Sequence, residues 1–117
     1  MLARMNRPLA TLAAAALLAA PLAAQKPAPN AYSDRLAQLT DLQRRAALRR
    51  AILDSGEKCV AVDKAALQGP YKNLVMWVAR CTGRLDYGAF IGPDGSVQVS
   101  TCAYLLTVKW PACRRID

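Results

Sequence analysis

The sequence predicts an α+β fold, with one N-terminal helix packed on a three- to four-stranded antiparallel meander and two disulfides. Three observations carry that prediction. The stretch from Leu74 to Cys102 alternates short β-branched and aromatic runs with glycine turns. A leucine- and arginine-rich segment ahead of it, Ser33 to Asp54, contains no glycine or proline. The chain has four cysteines, Cys59, Cys81, Cys102 and Cys113, and no histidine.

The first residues read as an export signal. Met1 to Arg7 carries Arg4 and Arg7 and no acid, and an Ala/Leu run follows to Ala24. The apolar run from Leu9 to Ala24 has 16 residues, short of the about 20 that a spanning helix needs. A signal peptide over residues 1–24, cleaved after Ala24, is therefore expected rather than an anchor. No cysteine follows the run as a lipid acceptor. Residues 25–32 read as a flexible Pro-rich spacer, and residues 33–117 as a single domain. From residue 25 onward there are 14 basic and 8 acidic residues, a net charge of +6.

Ser33 is placed to cap the helix, Asp34 suits its first turn, and Gly56 is placed to end it. Leu36, Leu39, Leu42, Ala46 and Leu53 fall on one side at helical spacing, while Leu48 and Ile52 lie off that stripe. Lys58 to Val62 is expected as a first strand. Residues 63–73 are read as a loop with one helical turn, broken at Gly69–Pro70. Leu74 to Cys81 is apolar on both faces and is expected to be central.

Tyr87–Ile91 and Ser96–Thr101 flank Gly92-Pro93-Asp94-Gly95, which reads as a type I turn with a G1 bulge. That turn sets Ile91 opposite Val97, Ala89 opposite Val99 and Tyr87 opposite Thr101. The apolar members then share one face, as a buried face requires, and the Leu36/Leu39/Leu42 stripe is expected above it. The segment after Cys102 reads as a short helix or turn ending before Pro111.

An even cysteine count in a small exported chain implies a disulfide framework. Cys59–Cys81 with Cys102–Cys113 is favoured, because a loop centred near residue 70 brings the first pair together and Pro111 turns the chain back for the second. Cys59–Cys113 with Cys81–Cys102 is the competing arrangement. Neither a zinc site nor a thiol oxidoreductase fits the spacing, since close cysteine pairs such as C-x-x-C are absent. No metal or other cofactor is expected.

Without histidine, Ser/His and Cys/His nucleophile arrangements are excluded. Asp63 and Asp86 are the acids not assigned to the helix or the turn, and no spacing argument pairs them. No phosphate-binding glycine loop occurs. No catalytic residue is expected.

The functional lead is basic. Arg44, Arg45, Arg49 and Arg50, joined by Arg35 and Lys58, suggest a surface for an anionic envelope component or an exported protein. The bland alternative is a solvated face whose arginine stems cover apolar surface. The helix lacks interleaved aromatics, so nucleic acid is not an expected partner. Trp77 reads as core, and Trp110 is the aromatic candidate for a partner site.

The order of signal peptide, arginine-rich helix, WVARC strand, FIGPDGSVQV hairpin and C-terminal cysteine resembles small exported proteins of high-GC Gram-negative bacteria. The resemblance implies export to the periplasm or medium and supports the fold; it implies no site residue. The expected function is a non-enzymatic periplasmic or secreted binding or accessory module. The alternatives are a small disulfide-stapled inhibitor of an exported enzyme and a low-activity enzyme.

Overall fold

The computed structural model describes residues 29–116. The expected signal peptide, residues 1–24, and spacer residues 25–28 lie outside the described residues. The element order is α1 (Ala31–Gln38), α2 (Asp41–Asp54), β1 (Val62–Tyr71), β2 (Leu74–Cys81), β3 (Leu85–Ile91), β4 (Val97–Thr101) and α3 (Cys102–Leu105). The strands form one antiparallel sheet in the order β1-β2-β3-β4. This is the expected α+β meander, with β2 inside it.

The single helix expected over Ser33–Asp54 is two helices. Leu39 is extended, and Thr40 caps α2 through a reciprocal pair: the Gln43 N–H donates to Thr40 Oγ1 and the Thr40 N–H donates to Gln43 Oε1, both at 3.2 Å. The break turns the second helix about its axis, and the buried face changes with it. Leu42 is 70% exposed, whereas Leu48 and Ile52, off the expected stripe, are 1% and 0% exposed. The first helix also starts earlier than expected. Asn30 caps it, accepting from the Ser33 N–H, and Ser33 lies buried inside it.

A second correction concerns β1. It runs from Val62 to Tyr71, through the residues read as a loop, and turns at Lys72–Asn73. Gly69, at φ +141°, sits at a register shift beside Pro70 and bends the strand without ending it. An edge strand tolerates a proline whose missing N–H faces away from the ladder.

The β3–β4 register is as expected: Ile91–Val97, Ala89–Val99 and Tyr87–Thr101. The turn closes through Gly95 N–H to Gly92 O at 3.0 Å and Gly92 N–H to Ser96 O at 2.8 Å. Gly95 has φ +86°, and a Cβ there would come within 2.7 Å of the Tyr32 ring, so only glycine lets α1 rest on the turn.

Apolar side chains cover both faces of the sheet. On one face Trp77, Ala79, Tyr87, Ala89 and Ile91 pack under Leu36, Leu48 and Ile52. On the other, Met76, Val78 and Phe90 pack under Leu105 and Ile116, with Trp110 and Val108 alongside. The disulfides are Cys59–Cys81 and Cys102–Cys113, the favoured pairing, with Cα separations of 5.5 and 5.6 Å. Cys59 precedes β1 and fastens the exit of α2 to the sheet. Cys102–Cys113 closes the C-terminal cover on the opposite face.

The break between the helices is tested by paired truncations. Leu48→Ala should lower unfolding free energy by about 2 to 5 kcal/mol in urea titration. Leu42→Ala should change it by less than about 0.5 kcal/mol, as an exposed site does. A continuous helix with the Leu36/Leu39/Leu42 stripe inward requires the reverse order.

Candidate functional site: the arginine face and the open sheet edge

The arginines of α2 are largely committed to the protein's own backbone. Arg44 donates from Nε to Leu36 O at 3.1 Å and from Nη2 to Ala37 O and Leu39 O at 2.9 and 2.7 Å. It thereby satisfies Ala37 O and Leu39 O at the end of α1 and adds a second donor to Leu36 O, which also accepts the Leu39 N–H. Its guanidinium also lies 5.9 Å from the centroid of Trp77, whose indole N–H donates to the buried Ser33 hydroxyl at 2.9 Å. Arg44 and Trp77 together hold the two helices to the sheet.

Arg45 bonds to Asp41 at 3.0 Å and reaches Val62 O at 3.4 Å. Arg49 donates to Cys59 O and Val60 O at 3.0 and 2.9 Å, bracing the chain beside the first disulfide. Arg50 pairs with Asp54 at 3.0 Å, with its side chain 77% exposed. Of the four, Arg50 alone has no backbone carbonyl as a partner among the described residues.

The two remaining acids are apart in role. Asp86 takes a bidentate pair of bonds from Arg80, at 2.9 and 3.1 Å, and Asp63 accepts from the Thr82 hydroxyl at 3.1 Å. Among the described residues no group of three His, Cys, Asp or Glu side chains gathers to hold a metal ion.

Trp110 belongs to an aromatic cluster on the C-terminal cover, 4.8 Å from Phe90 and 5.4 Å from Tyr71 between ring centroids. It is only partly buried, and its indole N–H has no acceptor among the described residues. It lines two adjoining clefts. One, of about 210 Å³, includes Gln98, Ser100 and Tyr104; the other continues past Asn73, Asp94 and Ser96.

The feature that sequence reasoning missed lies between these clefts and the helices. It is the free edge of β4. The two outer strands of the sheet differ sharply. β1 carries Asp63, Lys64 and Pro70 and two register shifts, all of which discourage a further strand. β4 reads Val-Gln-Val-Ser-Thr, with no charge, no proline and an unshifted register.

The Gly92–Ser96 bond fixes which residues of β4 turn their backbone toward β3. Paired positions alternate along an antiparallel ladder, so Gln98 and Ser100 face β3, while Val97 and Val99 point their N–H and C=O outward. On the helix side the edge borders an apolar groove of about 160 Å³ formed by Tyr32, Leu36, Ala47, Ala51, Ile91 and Val97. That groove runs on to Arg50 and Asp54.

No protein-family model, curated protein or solved structure matches the chain.

Three outcomes are expected for these polar groups. Arg44→Gln should destabilise the protein by about 1.5 to 3 kcal/mol, the scale of charged hydrogen bonds. Arg50→Gln should leave the unfolding midpoint within about 0.5 kcal/mol of wild type. Tyr87 donates to Lys58 O at 3.0 Å; burial first, and then the Glu57 carboxylate, raise its phenol above the ordinary value. The unfolded chain therefore ionises this tyrosine before the folded one does. Stability should be whole below about pH 10 and fall as pH rises beyond it. Thermal unfolding scans of Tyr87→Phe should show a shallower alkaline decline from a lower starting midpoint.

Proposed function

We propose that this chain is a non-enzymatic module, exported to the periplasm or the medium of a Gram-negative bacterium, that binds another exported polypeptide. The observation that carries this reading is the asymmetry of the sheet edges. β1 bears charges, proline and bulges, and β4 bears none of them, although an open edge is otherwise a liability for a soluble protein. Two disulfides suit an oxidising compartment. No described helix is long and apolar enough to cross a membrane.

A protein partner is favoured over an anionic lipid or polysaccharide by the fate of the arginines. Arg44, Arg45 and Arg49 direct hydrogen bonds at their own carbonyls, and Arg50, which has no such partner among the described residues, is paired with Asp54. Inhibition of an exported enzyme is the special case in which the bound polypeptide belongs to a catalyst.

The test is affinity capture from periplasmic extract on the oxidised protein. Retained species are identified by mass spectrometry and rebound as purified pairs. One stoichiometric protein retained through 0.5 M salt is the expected result, because burial of neutral surface resists screening. Retention only of lipopolysaccharide that elutes with salt, and that Arg50→Gln abolishes, refutes the reading.

A further inference from the structure

We infer that β4 is a strand-addition site: the partner binds as an extended, net-acidic segment that pairs with Val97–Thr101 and becomes a fifth strand of the sheet. The inference rests on the polypeptide-binding reading and specifies its geometry.

The outward N–H and C=O groups of Val97 and Val99 supply main-chain donors and acceptors at every second residue. An added strand would send alternate side chains to opposite faces, and each face offers a receiving cleft. On the helix side, the groove is lined by Tyr32, Ala47, Ala51 and Val97, and the two small alanines open the space beside the 38% exposed Val97. On the other side, Trp110 stands over Gln98 and Ser100. The side chains of Asn73, Gln98 and Ser100 have no hydrogen-bond partner among the described residues. Backbone pairing with alternating side-chain pockets is the arrangement by which sheet edges recognise extended peptides.

The helix-side cleft is apolar, so the segment presents apolar residues at every second position. Charge sets the rest. Among residues 29–116 there are 13 basic and 7 acidic side chains, a net charge of +6. Lys72 stands 5.4 Å from the Tyr71 ring, which is itself 5.4 Å from Trp110; Arg50 borders the helix-side groove together with its ion-pair partner Asp54, and Asp94 lines the cleft that passes Trp110. A second copy brings the same overall positive charge, whereas an acidic segment complements it.

The probe is the blocked peptide acetyl-Glu-Val-Thr-Val-Thr-Val-Glu-amide, titrated into ¹⁵N-labelled oxidised protein. Saturable amide shifts at Val97, Val99 and Thr101, with the Trp110 indole N–H moving too, are expected. The order-scrambled peptide Glu-Val-Val-Thr-Thr-Val-Glu and a version with N-methylated valines should bind at least tenfold more weakly. Val99→Pro removes an outward N–H without touching the ladder to β3, and should weaken binding at least tenfold while the α2 resonances stay in place. Should that variant fail to fold, Val97→Asp sets a like charge in the helix-side groove and should produce the same loss.

Equal binding of the scrambled or N-methylated peptide overturns the inference, as do shifts confined to α2. So does a sedimenting dimer in which the Val97 and Val99 amides are already protected from exchange, since a second copy then holds the edge. A captured partner that binds Val99→Pro and Val97→Asp as tightly as wild type leaves the protein-binding reading standing and sinks strand addition. Peptide binding at β4 with no polypeptide retained from extract does the opposite.

Discussion

A central strand that is apolar on both faces imposes the architecture. Trp77 and Ala79 point to one side of β2, and Met76 and Val78 to the other, and all four are buried. Two covers are therefore needed, and a domain of this size has little chain from which to make them. The helix pair supplies one; α3 and the loop that follows supply the second. Each is small, and each is fastened by one disulfide, at Cys59–Cys81 and Cys102–Cys113. Cross-links of this kind contribute about 2 to 4 kcal/mol each, largely by restricting the unfolded chain, a large part of the net stability of a small domain.

Within the helical cover, the arginines act as fasteners. A guanidinium can donate in several directions at once, and Arg44 uses this to close the carbonyl end of α1 while standing against the Trp77 ring. Arg49 does the same for the chain leading to Cys59. These contacts explain how α2 holds its place with only Leu48 and Ile52 buried along its length.

Much of this was legible in the residues, and the failures have physical causes. The Gly92-Pro93-Asp94-Gly95 turn determines the β3–β4 register because its bulge puts Tyr87, Ala89, Ile91, Val97 and Val99 together on one face. The cysteine pairing followed from the same kind of proximity argument. The helix break is masked in the sequence although Thr40 and Gln43 spell its cap, since the leucine spacing runs smoothly across it. β1 was lost because Gly69–Pro70 reads as a breaker in isolation, and only its place at the sheet edge makes it tolerable. The arginines were legible as charge but not as hydrogen-bond donors, because their acceptors are carbonyls whose positions depend on that break. The open edge at β4 was invisible for a related reason: which strand lies outermost is a property of the assembled sheet.

The contact of α1 with the far hairpin has a consequence for the order of events in folding. The Asn30 amide donates to Ile91 O across 61 positions of chain, and Tyr32 rests on Gly95. The first described segment thus has its anchor near the far end of the domain. A chain emerging from its N-terminus presents α1 long before anything exists for it to dock on, and long-range contacts of this kind are slow to close. Docking of α1 therefore waits on the β3–β4 hairpin.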